Sequence, residues 1–82
     1  MHVQHTIPDL PLSGLTPGQS ASVSALSDDS DLRRRFQDLG LIPGARVDCL
    51  SVSPLGDPKA YRIRGAVVAL RAGDAEYVRV TL

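Results

Sequence analysis

Two histidines, one cysteine and a run of three arginines are the residues of this 82-residue chain whose types and spacing invite chemistry. His2 and His5 stand three apart, a spacing at which neutral imidazoles on a helix can share a metal ion. Pro8 and polar neighbours give no helix to hold them and no third ligand lies close, so only weak metal binding is expected there. Cys49 as a nucleophile would need a neighbouring base and an electropositive, partly open setting. Its place on an apolar strand face predicts a small buried hydrophobe instead. Arg33, Arg34 and Arg35 could grip phosphates or an acidic partner, but with Leu32, Phe36 and Leu39 facing inward they form the solvated side of a helix. No serine stands in a GxSxG step, and the histidines lie in the tail, so no Ser/His pair assembles. Gly40 and Gly44 fit neither a P-loop nor a GxGxxG loop, which removes a phosphate cradle. The expectation is a protein without catalytic chemistry, cofactor or metal centre.

Two features remain as contact surfaces. All five residues from Ala66 to Leu70 are apolar, and if Val68 and Leu70 face a core, Val67 and Ala69 point outward. The run Pro54-Leu55-Gly56-Asp57-Pro58 holds an aliphatic tip between two prolines, and a stiffened loop binds with little loss of entropy. The plain alternative for that run is a well-formed connector. The partner-binding candidates are Leu55, Gly56, Asp57, Pro58, Arg62 and Val67. A second class of function, a small nucleic-acid-binding barrel, would use Arg62, Arg64 and Arg79, which alternate outward on the last strands. A third, a metallo-regulatory domain, lacks a clustered ligand set.

These residues need elements to position them. Ala21, Val23 and Ala25 alternate with serines as in a half-buried strand that follows the turn signal Thr16-Pro17-Gly18. Ser27-Asp28-Asp29-Ser30 offers N-cap oxygens, and Leu32, Phe36 and Leu39 recur at helical spacing, which predicts a helix over 31–39. Gly40 then sits at the helix stop, and Pro43-Gly44 supplies a type II turn into the next strand. Val47 and Cys49 share one face while Leu50 and Val52 fall on the other parity, the mark of a bulge. Gly65 allows a tight reversal between Tyr61/Ile63 and the 66–70 run, and after Ala72-Gly73-Asp74-Ala75 a last strand sets Val78, Val80 and Leu82 against Tyr77, Arg79 and Thr81. Gly40, Pro43, Gly44 and Gly65 are therefore structural turn residues. The fold class is mainly β: a small SH3-like β-barrel of about five strands with one short inserted helix, over 10–82, preceded by a loose tail over 1–9.

Size and charge narrow the function classes further. A chain of this length buries only roughly 60% of its unfolded surface, so its aliphatic residues are committed to one small core and leave little room for a deep active site. One Phe, two Tyr and no Trp provide no stacking platform for single-stranded nucleic acid. The lone cysteine excludes an internal disulfide and a zinc knuckle. No run of 18 apolar residues and no basic-then-apolar leader occurs, which predicts a cytoplasmic protein without direct membrane insertion. Formal charge is zero, but residues 1–32 hold four acidic groups and no Lys or Arg, whereas 33–82 hold nine basic against five acidic groups. That asymmetry suits an acidic protein surface and falls short of a nucleic-acid footprint.

Taken in order, Leu15-x-x-Gly18, Leu39-Gly40-Leu41-x-Pro43-Gly44, Pro54-Leu55-Gly56-Asp57-Pro58 and Arg64-Gly65 leading to Ala69-Leu70-Arg71 resemble the FeoA-like small domains of the bacterial ferrous-iron uptake system. The likeness covers about residues 10–82. It implies an SH3-like barrel, cytoplasmic, without chemistry of its own, acting with the membrane transporter FeoB, whose cytosolic part is a GTP-binding domain. The implied role is regulatory binding. Similar domains end iron-dependent transcription repressors, but this chain carries no helix-turn-helix segment. The extension bearing His2 and His5 and the low aromatic content depart from the family pattern without touching the motif positions.

Overall fold

The computed structural model describes residues 9–82, so His2 and His5 lie outside the described residues. Helix α1 (Ser30–Asp38) begins where the acidic cluster said it would. Asp29 is its N-cap, with Oδ1 accepting from the N–H groups of Asp31 and Leu32, both at 3.0 Å. Both ends fall one residue before the expected 31–39, because Leu39 already serves as C-cap. Gly40 follows with φ +93°. The Leu41 N–H donates to the Phe36 carbonyl at 2.9 Å and the Gly40 N–H to Gln37 at 2.9 Å, a Schellman stop that buries Leu41 against the same core as Phe36. The following turn closes through Ala45 N–H to Ile42 O at 2.9 Å, as the Pro43-Gly44 pair predicts.

Among the described residues six strands form one antiparallel sheet: β1 (Asp9–Pro11), β2 (Ser20–Ala25), β3 (Arg46–Val52), β4 (Lys59–Ile63), β5 (Ala66–Leu70) and β6 (Arg79–Thr81), in the order β1-β6-β2-β3-β4-β5. That is one strand more than the alternation revealed. The extra one, β1, takes Asp9 out of the expected tail and pairs it with Thr81. A second correction is a short helical turn, α2 (Ala72–Ala75), beyond the one expected helix. The last strand is correspondingly shorter than expected, and Leu82 lies exposed beyond its end.

The predicted bulge is present. The β3/β4 register shifts between Cys49 and Ser51, so Leu50 is the extra residue and the strand bends. A second shift, in β2 between Val23 and Ala25, turns Ala25 outward against the simple alternation. Val23, Val47, Ile63, Leu70, Val78 and Val80 are buried as their pattern requires, together with Cys49, Phe36, Leu12 and Leu15. Val68, Leu32 and Leu39 are only half-buried and pack on the margin of that core.

Among the described residues β1 and β5 do not pair, so the ladder alone does not close the barrel. The gap is spanned by a 3₁₀ turn at Leu12–Gly14. Lys59 Nζ donates to the carbonyls of Ser13 (2.8 Å) and Leu15 (2.6 Å), and Tyr61 Oη donates to Leu12 O at 3.3 Å. Helix α2 packs on the same turn. The result is a mainly β, SH3-like barrel sealed on one side by side-chain to main-chain bonds.

Candidate interaction surface

The β3–β4 connection, residues 54–58, is a rigid projection. Gly56 N–H donates to Ser53 O at 2.8 Å, and Ser53 N–H donates to Pro58 O at 3.1 Å, which closes the loop on itself. The Asp57 carboxylate accepts from the Ala72 N–H at 2.8 Å and so ties the loop to the start of α2. Pro54 occupies the first corner, and the Asp57–Pro58 peptide is cis. These bonds leave Leu55 at the tip, 94% exposed, the most exposed large apolar side chain among the described residues.

Arg62 and Val67 are direct cross-strand partners on the outer face of β4 and β5. They do not adjoin the loop: Arg62 lies three steps along β4 from Lys59, or about 10 Å at strand rise. The six candidates thus fall into a loop group, Leu55 with Gly56, Asp57 and Pro58, and a sheet group, Arg62 with Val67. Val67 is 64% exposed.

Beside Arg62 lies an open groove of about 330 Å³ lined by Ala45, Arg46, Asp48, Arg62, Arg64 and Gly65. Asp48 Oδ1 accepts from Ser20 Oγ (2.6 Å) and Arg46 Nε (2.9 Å). The Ser20 hydroxyl first, and then the Arg46 guanidinium, hold the Asp48 carboxyl below the usual carboxylate range. Arg46 is therefore occupied, whereas Arg62 and Arg64 form no ion pair among the described residues. Sequence alternation placed Arg46 and Asp48 on one face. It did not reveal Ser20, because only the β2/β3 register sets Ser20 opposite Asp48.

The other sequence candidates are scattered. Arg79 lies on β6 and pairs with Asp9 at 3.4 Å, three strands away from Arg62, so Arg62, Arg64 and Arg79 do not form one basic stripe. Cys49 is buried, and burial pushes its thiol up. Arg33 reaches Asp28 at 3.7 Å, and Arg34 and Arg35 are exposed beside it. Gly65 and Arg64 form the β4/β5 turn, with φ +80° and +52°. Among the described residues no three His, Cys, Asp or Glu side chains gather where a metal ion could sit, and no helix is long and apolar enough to cross a membrane.

A curled antiparallel sheet around a filled core defines a small SH3-like domain. The FeoA domain model matches residues 10–82, and the chain belongs to the FeoA family, a family of small domains associated with ferrous-iron transport. The chain is similar to the FeoA protein of Chlorobium tepidum, at 36% identity and TM-score 0.81, over 89% of this chain and 70% of that one. It is also similar to the zinc-complexed FeoA of Stenotrophomonas maltophilia, itself described as an SH3 domain protein, at 28% identity and TM-score 0.76, over 87% and 88% of the two chains. IdeR of T. acidophilum shares the fold alone, with 22% identity and TM-score 0.79, over 98% of this chain and 37% of that one. No curated protein gives a significant match.

Proposed function

We propose that this chain is a non-enzymatic interaction module that supports ferrous-iron uptake by binding the FeoB transporter on its cytosolic side. The observation that carries the reading is Leu55, a large aliphatic side chain almost wholly in solvent on a loop fastened by three hydrogen bonds. An apolar tip that is already rigid loses little entropy when a partner buries it, and interfaces concentrate their energy in a few such anchors. Gly56, Asp57 and Pro58 shape the loop, while Arg62 and Val67 offer a second contact on the outer sheet face. Family membership supports the iron-transport setting.

Titration against the isolated cytosolic region of FeoB, and against the full transporter in detergent, tests the assignment. Leu55→Asp is expected to weaken binding by about 1–3 kcal/mol while the thermal midpoint stays near wild type, since the side chain supports nothing in the fold. Charge reversal of Arg33 and Arg34 should matter much less. Wild-type binding by Leu55→Asp, with loss in the helix variant, moves the site to α1 and overturns the assignment.

A further inference from the structure

The two edges of the sheet are treated differently by the sequence. Strand β1 is three residues long, contains Pro11 and carries Asp9, features that discourage another strand from adding to it. Strand β5 has none of these: Ala66, Val67, Val68, Ala69 and Leu70 form an unbroken apolar edge with no proline, charge or register shift. Its turn is two residues long, so Ile63 and Ala66 flank it as a bonded pair, and the bonded pairs then continue with Tyr61/Val68 and Lys59/Leu70. The N–H and C=O groups of Val67 and Ala69 consequently point away from β4. Among the described residues no hydrogen bond reaches them, and both residues are exposed.

Arginines flank both ends of this bare edge, while the nearest carboxylates, Asp48 opposite Arg62 and Asp57 on the Ala72 N–H, are already engaged within the fold. Arg62 and Arg64 stand at the turn end and Arg71 follows the other end, all exposed and none in an ion pair among the described residues. A second copy of the chain centred antiparallel on Val68 would set Arg71 of one molecule beside the Arg64-Gly65 turn of the other at both ends. That arrangement opposes self-pairing. An extended segment with an apolar middle and carboxylates at its ends meets the same edge with complementary charge.

We propose that β5 is an acceptor for β-strand addition: an extended, acid-ended segment of a protein partner pairs antiparallel with Val67 and Ala69 and places its carboxylates on Arg62, Arg64 and Arg71. This goes beyond the Leu55 reading and shares with it only the premise of a protein partner. The backbone groups of Val67 and Ala69 supply general affinity, and the arginines select the ends.

The test needs no transporter. The probe is a fluorescent nine-residue peptide of alternating Val and Thr with two Glu at each end, compared with the same peptide ended in Lys and with one whose central residue is Pro. The acid-ended peptide is expected to bind saturably, with affinity reduced about tenfold or more by Lys ends or by the central Pro. In the wild-type protein, amide exchange at Val67 and Ala69 should slow on saturation while that at Val68, already paired to β4, changes little. Ala69→Pro removes one outward N–H without removing a β4 bond and should lower affinity to the same degree. Because the exchange measurement uses the unaltered protein, misfolding of that variant leaves the test intact. Absence of saturable binding at about millimolar peptide, indifference to end charge, or unchanged exchange at Val67 and Ala69 each overturns the proposal. Self-association of the protein that Ala69→Pro abolishes would also overturn it, making a second copy the occupant.

Discussion

Gly40 and Tyr61 each fix a feature of this domain through a single side chain or its absence. Gly40 takes φ +93° to end α1, and a Cβ there would stand 3.0 Å from Arg64 Cδ and 3.2 Å from Ile63 Cγ2. Gly40→Ala therefore combines backbone strain with a crowded contact and should lower unfolding stability by about 1–3 kcal/mol in urea titration. Tyr61 is the second case. Burial pushes its phenol from 10.0 up to about 12, so the folded state favours the neutral form. That preference is fully present below pH 10 and is lost as pH rises toward 12, where the unfolded chain ionises first. The urea midpoint should fall across this window, and Tyr61→Phe should flatten the fall while forfeiting on the order of 1 kcal/mol at neutral pH with the bond to Leu12. An equally steep decline in the variant would assign the alkaline limb to other groups. At this scale the glycine was legible in the sequence, because helix spacing ending at Leu39 demands a positive φ next. The phenol's partner was not, since nothing local links Tyr61 to a carbonyl 49 positions away.

Among the elements, those specified by local chemistry could be read and those specified by distant partners could not. Helix α1 has its cap, its apolar spacing and its glycine stop within twelve residues. Asp29→Ala should cost about 1 kcal/mol, measured as a thermal shift, because two N–H groups lose their acceptor at once. The β3 bulge was legible for a similar reason: the parity change at Leu50 is written in consecutive residues. Strand β1 carries no alternation in three residues that include a proline, and its existence depends on β6 at the far end of the chain. Helix α2, four residues with a glycine at its second position, has too weak a local preference to separate it from a loop. The candidate surface divided along the same line. Leu55 was visible between its prolines, whereas the distance between the loop and the Arg62/Val67 pair, and the open edge of β5, are properties of register.

At the scale of the whole molecule the barrel is one small core, and its centre should respond accordingly. Ile63 is fully buried in that core, so Ile63→Ala should lower stability by about 2–5 kcal/mol, and a loss below about 1 kcal/mol would show that the core lies elsewhere. Closure depends on Lys59, whose amine joins the Leu12–Gly14 turn to β4 across more than forty residues of chain. The pairing of Asp9 with Thr81 has a different consequence. Opposite residues of such a ladder lie about 5 Å apart, so the chain enters and leaves this fold through a single doorway. A host protein could carry the domain as an insert in an ordinary surface loop without being stretched. By the same geometry, a short linker joining residue 82 to residue 9 would permit the sequence to be reopened at Thr16-Pro17-Gly18, giving a rearranged gene that specifies the same barrel.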